Sequence, residues 1–289
     1  MYKKCMRGFF LNARIVVKYN GCVHRTSEEE RNSMPKLAIT GKGGVGKTTL
    51  TALLSYVYAQ RGKDVIAIDA DPAGNLGLAF GLSAAMDADL KPIAEMEDLI
   101  YERTGAQPGT VGGWFRLNPK VDDIPESFSI THRGVRLLRL GSVRGGGTGC
   151  LCPENALLKA LVTHLLLRKN QTLILDMEAG VEHLGRGTAD SVGAFIIVVE
   201  PGLRSLGTAE QIRGLAAEIG IKQIYLVANK ARGPQDEEFI RQNAPHLPLL
   251  GSLPFSMAAV AADQAGLAIF DQAPEMLAAA ERIAGALPA

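Results

Sequence analysis

Short apolar runs separated by longer mixed stretches set the rhythm of this chain. Lys36–Thr40, Asp64–Asp69, Leu173–Asp176, Ala194–Val199, Ile224–Ala228 and Leu249–Pro254 each read as a strand, and the first is apolar enough to be buried on both faces. Helical periodicity runs from Thr48 to about Gln60 and closes at Gly62. A second helix is expected from Pro153 through Arg168, with proline at the first position and Cys152 at the N-cap. A third is expected from Ser205, read as its cap, to about Gly220. Strands alternating with helices predict one α/β domain over 34–289, doubly wound, with a mostly parallel sheet and helices on both faces.

The pattern begins abruptly at Met34-Pro35. Upstream, Gly8-Phe9-Phe10-Leu11 is broken by Asn12 and Arg14, too short for a secretory core. Translation is expected to start at Met34, with residues 1–33 a mis-assigned start or a disordered tail; a basic arm that touches a partner is the alternative. Cys5, Cys22 and His24 lie there at spacings that match no zinc pattern.

Composition narrows the field. Hydrophobic residues make up 47% and charged residues 21%, which excludes a disordered chain. No apolar run reaches the roughly eighteen residues of a membrane-spanning helix. Seven Lys/Arg against three Glu give residues 1–33 a net +4, so the remainder carries −3 of the overall +1. A mildly acidic body argues against non-specific nucleic-acid binding, which needs clustered cations.

The first strand runs into Gly41-Lys42-Gly43-Gly44-Val45-Gly46-Lys47-Thr48-Thr49. Gly41, Gly43 and Gly46 fit a dinucleotide fingerprint, with Asp69 near the place of a ribose-binding acid. Gly41, Gly46, Lys47 and Thr48 also fit a triphosphate loop. Lysine after the last glycine decides for the triphosphate: it meets β- and γ-phosphate charge, Thr48 would hold Mg²⁺, and backbone N–H groups from Gly43 to Thr49 point at the phosphates. ATP with Mg²⁺ is the expected ligand.

Two lysines in one loop resemble the deviant phosphate loop of the MinD/ParA/nitrogenase-iron-protein superfamily. That resemblance implies that Lys42 reaches across a dimer to the partner's phosphates, as an arginine finger would. Asp69-Ala-Asp71-Pro72-Ala73-Gly74-Asn75 resembles the first switch: Asp71 would orient the attacking water, and Asp69 would act through the Mg²⁺ shell or by shaping the loop. Asp176 ends an apolar run as an Mg²⁺-associated acid. Gly180 could place its N–H on the γ-phosphate, making Val181–Thr188 a second switch. Asn229, with Lys230, closes a strand where the superfamily binds adenine, and Pro254 would line the other side of the base.

Cys150 and Cys152 are the only cysteines after Met34, preceded by a glycine-rich stretch. A thiol at a helix N-terminus favours thiolate and metal binding. One C-x-C supplies two ligands where a closed soft-metal site takes four, and two-fold symmetry doubles two into four. A packing pair or a strained disulfide is the bland alternative. Together, K-G-G-V-G-K-T-T, D-A-D-P-A-G-N, G-C-L-C-P-E-N-A-L-L and D-M-E-A-G-V-E-H-L-G-R-G-T look like the CooC family. That resemblance implies a cytoplasmic homodimeric ATPase that helps insert nickel into carbon monoxide dehydrogenase or acetyl-CoA synthase. Ni²⁺ or Zn²⁺ would sit at Cys150/Cys152. His183 is a possible further ligand, and mid-helix His164 a packing residue. An iron–sulfur carrier or reductase is the alternative, and a MinD/ParA-type positioning role is disfavoured for ParA by the acidic body and for MinD by the sparsely basic C-terminal helix; nucleic-acid and membrane partners are not expected. Trp114-Phe115 is a candidate surface anchor for the client.

Overall fold

A computed structural model describes residues 34–109, 114–141 and 152–288. Residues 1–33, with the question of the start, and Cys150 therefore lie outside the described residues.

Among the described residues, eight strands form one sheet in the order β3-β4-β2-β5-β1-β6-β7-β8. They are β1 (Lys36–Gly41), β2 (Val65–Ala70), β3 (Ile130–His132), β4 (Val135–Arg139), β5 (Thr172–Met177), β6 (Ala194–Val199), β7 (Ile224–Ala231) and β8 (Leu249–Pro254). Among the described residues, only the β3–β4 pairing is antiparallel. β1 lies between β5 and β6, so neighbouring crossovers diverge at its carboxyl end, where open α/β sheets bind ligands.

The helices are α1 (Lys47–Gln60), α2 (Leu76–Ala79), α3 (Ala84–Asp89), α4 (Glu97–Thr104), α5 (Ile124–Phe128), α6 (Pro153–Leu167), α7 (Leu203–Ile219), α8 (Pro234–Asn243), α9 (Met257–Ala265), α10 (Ile269–Gln272) and α11 (Pro274–Ala286). Strand alternation divides the core between two layers. Ala38, Ile66, Ile68, Leu173, Leu175 and Phe195 face α4, α6, α7 and α8, whereas Leu37, Ile39, Val65, Ala67, Ile174 and Ile196 face α1, α10 and α11. Both faces are covered, which is why the central strands are apolar at consecutive positions.

Two expectations need correction. Ser205 does not cap the third helix. Gly202 is the N-cap, and the Ser205 hydroxyl inside the first turn accepts the Glu200 N–H at 3.0 Å. β7 continues through Ala231, so Asn229 and Lys230 lie within its last residues rather than beyond them. The helix after the C-x-C is close to expectation: α6 has Cys152 as N-cap and Arg168 as C-cap.

α11 spends its apolar face on the core through Met276, Ala279, Ala280 and Ile283. Among the described residues, no helix is long and apolar enough to cross a membrane. At the far end of the sheet, Lys36 is buried and its Nζ donates to the carbonyls of Leu165 (3.1 Å) and Gln171 (2.7 Å), closing the last turn of α6.

Candidate functional site

Alternation and register assemble the site. Asp69 and Asp176 sit opposite each other on adjacent strands β2 and β5, and Asp176 pairs with Ile39 of β1. Two positions before each acid, Ala67 and Ile174 pack toward α1, so both carboxylates point toward the same face as the phosphate loop.

The loop between β1 and α1 is held open by glycine. Gly41 (φ 150°) lies so close to β6 that a Cβ would fall 2.5 Å from the Val198 carbonyl. Gly46 (φ 94°) is the N-cap of α1, and a Cβ there would meet Asn229 Nδ2 at 2.0 Å. Gly43 and Gly44 are exposed, Val45 is buried, and Thr48 and Thr49 are half-buried in the first turn. Backbone N–H groups at this helix start are free to meet an anion.

Lys47 is buried and its Nζ lies 3.6 Å from Asp71 Oδ2. Lys42 is exposed, and its side chain makes no hydrogen bond or ion pair among the described residues. Asp71 Oδ1 accepts the Ala73 N–H at 3.0 Å, which turns the chain toward Gly74. Asp69, 1% exposed, accepts the Leu76 N–H at 2.9 Å and so ties the end of that segment to β2. Burial pushes its pKa up to about 6, against the pull of these backbone N–H groups and Arg139.

Asp176 is fully buried, and neither carboxylate oxygen has a hydrogen-bond partner. Burial pushes its pKa up to about 7; the Thr48 hydroxyl faces it and pulls the other way, without the geometry of a full hydrogen bond. A buried, unmatched carboxylate beside a threonine hydroxyl and a phosphate loop fits Mg²⁺, which takes few protein ligands and shares phosphate oxygens. Thr48 and Asp176 would hold it, directly or through water, and it would neutralise charge on the phosphates.

The second switch is tied back to β1. Thr40 donates to the Glu178 carbonyl and accepts the Gly180 N–H at 3.2 Å, so that N–H is engaged within the chain rather than turned outward. His183 Nε2 lies 3.0 Å from the Ala70 carbonyl, joining this switch to the end of β2. Burial lowers the His183 pKa, and because its partner is a carbonyl, Nε2 is the donor in this hydrogen bond.

Asn229 is buried with its carboxamide spent locally: Nδ2 donates to the Val45 carbonyl (2.8 Å) and Oδ1 accepts the Lys230 N–H (2.8 Å). Lys230, at φ 59°, donates to the Gly44 carbonyl and pairs with Glu200. The end of β7 thus grips two successive carbonyls of the phosphate loop. Beside this grip, Gly46, Asn229, Pro254, Phe255, Val260 and Leu267 line a cavity of about 290 Å³, a slot of mixed apolar and polar lining.

Cys152 is 4% exposed and lines a separate groove of about 430 Å³ between α6 and Phe115–Val121. Trp114 beside that groove is 100% exposed. His164 lies in the last turn of α6 rather than at its middle, and accepts from Arg168 Nε at 3.0 Å. Twelve residues of helix put it about 18 Å from Cys152, beyond a shared coordination sphere. Among the described residues, no three His, Cys, Asp or Glu side chains converge as a metal set.

Thr40, Arg139 and Glu178 were not singled out from sequence. A buried threonine in an otherwise apolar run was the available signal for Thr40; Arg139 is recognisable only once β4 is placed beside β2.

Residues 36–269 match the CobQ/CobB/MinD/ParA nucleotide binding domain, and the chain belongs to that family. Within it, the chain is 50% identical over 239 residues to the carbon monoxide dehydrogenase accessory protein CooC of Rhodospirillum rubrum, covering 83% of this chain and 90% of that protein. It is 42% identical over 223 residues to an uncharacterized ATP-binding protein of Methanocaldococcus jannaschii (76% and 85%). A ParA family ATPase from Chlorobium tepidum has the same fold, with TM-score 0.63 at 16% identity over 87% of this chain and 98% of that one. The chain is an ATPase of CooC-like accessory type, as the motif combination implied.

Proposed function

We propose that this ATPase is a cytoplasmic nickel chaperone for carbon monoxide dehydrogenase or acetyl-CoA synthase. Two copies clasp each other around ATP, with Lys42 of each completing the other's phosphate site. Lys47, Thr48 and Asp176 hold the Mg²⁺–phosphate end, Asp71 positions the attacking water, and the slot beside Asn229 and Pro254 takes the base. Cys150 and Cys152 from both copies supply four thiolates for Ni²⁺ as cargo, and hydrolysis loosens the clasp and lets the ion go.

One observation carries the reading. α6 returns from the carboxyl end of the sheet to start β5, so its N-cap, Cys152, lies at the same end as the phosphate loop and both switches. Nucleotide and thiol can then respond to one rearrangement. Cys152 is buried in the state described, so loading requires that end to open.

Nickel affinity of the protein with Mg-ADP and with a non-hydrolysable ATP analogue tests this, with sedimentation in parallel. A dimer whose Ni²⁺ affinity differs at least tenfold between nucleotides, and falls in Cys150→Ser/Cys152→Ser, supports it. A monomer under all conditions, or an anaerobic preparation holding stoichiometric iron and sulfide with a 4Fe–4S spectrum, overturns it.

A further inference from the structure

Outside the phosphate loop, Nε of Arg139 is one of the buried side-chain atoms without a hydrogen-bond partner among the described residues. This side chain is 12% exposed and spends its two terminal nitrogens fully. Nη2 donates to the Gly74 carbonyl (3.0 Å) and Asp87 Oδ1 (2.7 Å), and Nη1 to the Leu90 carbonyl (3.3 Å). Nε is buried without a hydrogen-bond partner and forms only a long ion pair, 3.8 Å from Asp69 Oδ2. That oxygen already accepts the Leu76 N–H at 2.9 Å. One carboxylate oxygen therefore faces two N–H donors, of which only one is within hydrogen-bond distance. Buried donors are nearly always matched, so an unmatched one beside an acceptor points to a second arrangement in which the pairing is made.

The same guanidinium joins three pieces of chain. Gly74 belongs to the first switch, and Asp87 and Leu90 belong to α3 and its end. Arg139 itself closes β4, paired with Asp69 of β2, and the next residue, Leu140, donates its N–H to the Asp69 carbonyl at 2.8 Å. Gly74 has φ 62°, and a Cβ there would press on Arg139 Nε at 3.1 Å. The turn from Asp71 to Asn75 cannot shift without changing what Arg139 holds.

We propose that Arg139 is a positioning residue for ATP hydrolysis. In the arrangement described, it pins the first switch through Gly74. When Leu76 releases Asp69 Oδ2, Nε takes that oxygen, the hold on Gly74 changes, and Asp71 moves relative to Lys47. A further consequence rests on the nickel-delivery reading: the first switch and Cys152 lie at the same end of the sheet, so the exchange also links nucleotide state to the thiol end.

Steady-state hydrolysis and nucleotide affinity of Arg139→Gln, Arg139→Lys and Asp87→Asn test the proposal. Arg139→Gln is expected to lower kcat about tenfold or more, with KM for ATP and affinity for ADP within about twofold, since the phosphate loop is untouched. Lysine restores part of kcat. Unchanged kcat, or a loss of affinity that accounts for the whole effect, overturns it. Should Arg139→Gln fail to fold, Asp87→Asn removes the guanidinium's anchor on α3 and is judged by the same kcat–KM split. Ni²⁺ titrations of wild type and Arg139→Lys, with ADP and with an ATP analogue, separate the two layers. If wild type shows no nucleotide dependence, nickel delivery fails, and the kcat–KM split still decides on Arg139. If wild type shows it and Arg139→Lys keeps it intact, the link toward Cys152 is overturned.

Discussion

Asp176 predicts a conflict between stability and activity that can be measured. Burial, reinforced by the negative charge of Asp69 and Asp71, raises its pKa from 3.8 to about 7, although Thr48 and Lys47 oppose the shift. A carboxyl whose folded pKa is raised contributes stability that is complete below its unfolded pKa and is lost as pH rises through the folded one. The window is therefore pH 3.8 to about 7. Roughly three pKa units at about 1.4 kcal/mol each put the cost of the charged form near 4 kcal/mol at most, for a protein without nucleotide or Mg²⁺. Asp176→Asn removes that charge but leaves buried amide atoms to be matched, costing about 1–2 kcal/mol. At pH 8 the variant is expected to be the more stable by about 2 kcal/mol, and its advantage should shrink by about 2–3 kcal/mol at pH 5. Urea unfolding of both proteins at the two pH values, in metal-free buffer of fixed ionic strength, gives the comparison. Hydrolysis should be lost in the same variant, and Mg-nucleotide should stabilise wild type more than the variant. A variant that is less stable at pH 8, or whose stability difference is the same at both pH values, would refute the reasoning.

Other substitutions separate the parts of the site. Gly46→Ala forces a Cβ into Asn229 at a left-handed residue, and should cost about 2 kcal/mol or more in thermal or urea unfolding, with loss of ATP binding. Lys42→Met removes an exposed side chain with no hydrogen bond or ion pair among the described residues, so ADP affinity should stay within about threefold while kcat falls about 100-fold or more, read from titration and phosphate release. Lys36 titrates in the opposite sense. Burial lowers its pKa to about 8 from 10.5, so stability should rise as pH goes from 8 to 10.5, where the folded state sheds the proton first. Lys36→Met should flatten that rise in urea midpoints taken across the window.

Much of this protein was legible in the chain itself. The phosphate loop, both aspartate-ended strands and the proline-started α6 are local codes: glycine, lysine and threonine at fixed spacing, or apolar runs that stop at an acid, allow little else. The same locality explains the errors. Ser205 looked like a cap because serine often is one, but the carbonyl and N–H groups around Gly202 and Glu200 decided where α7 begins.

What the sequence could not contain is which donors meet which acceptors across the fold. Asp69 and Asp176 become neighbours because β2 and β5 pair in register across more than a hundred residues of chain. Asn229 reads as a base-binding residue, yet packing brings it against Gly46 and directs its amide to Val45. Arg139 carries no motif at all, and only strand order sets it between Gly74, Asp87 and Asp69. Spacing along the chain fixes the chemistry a residue can offer; long-range packing decides which partner receives it, because hydrogen bonds and charge act over a few ångströms, whatever the separation in sequence.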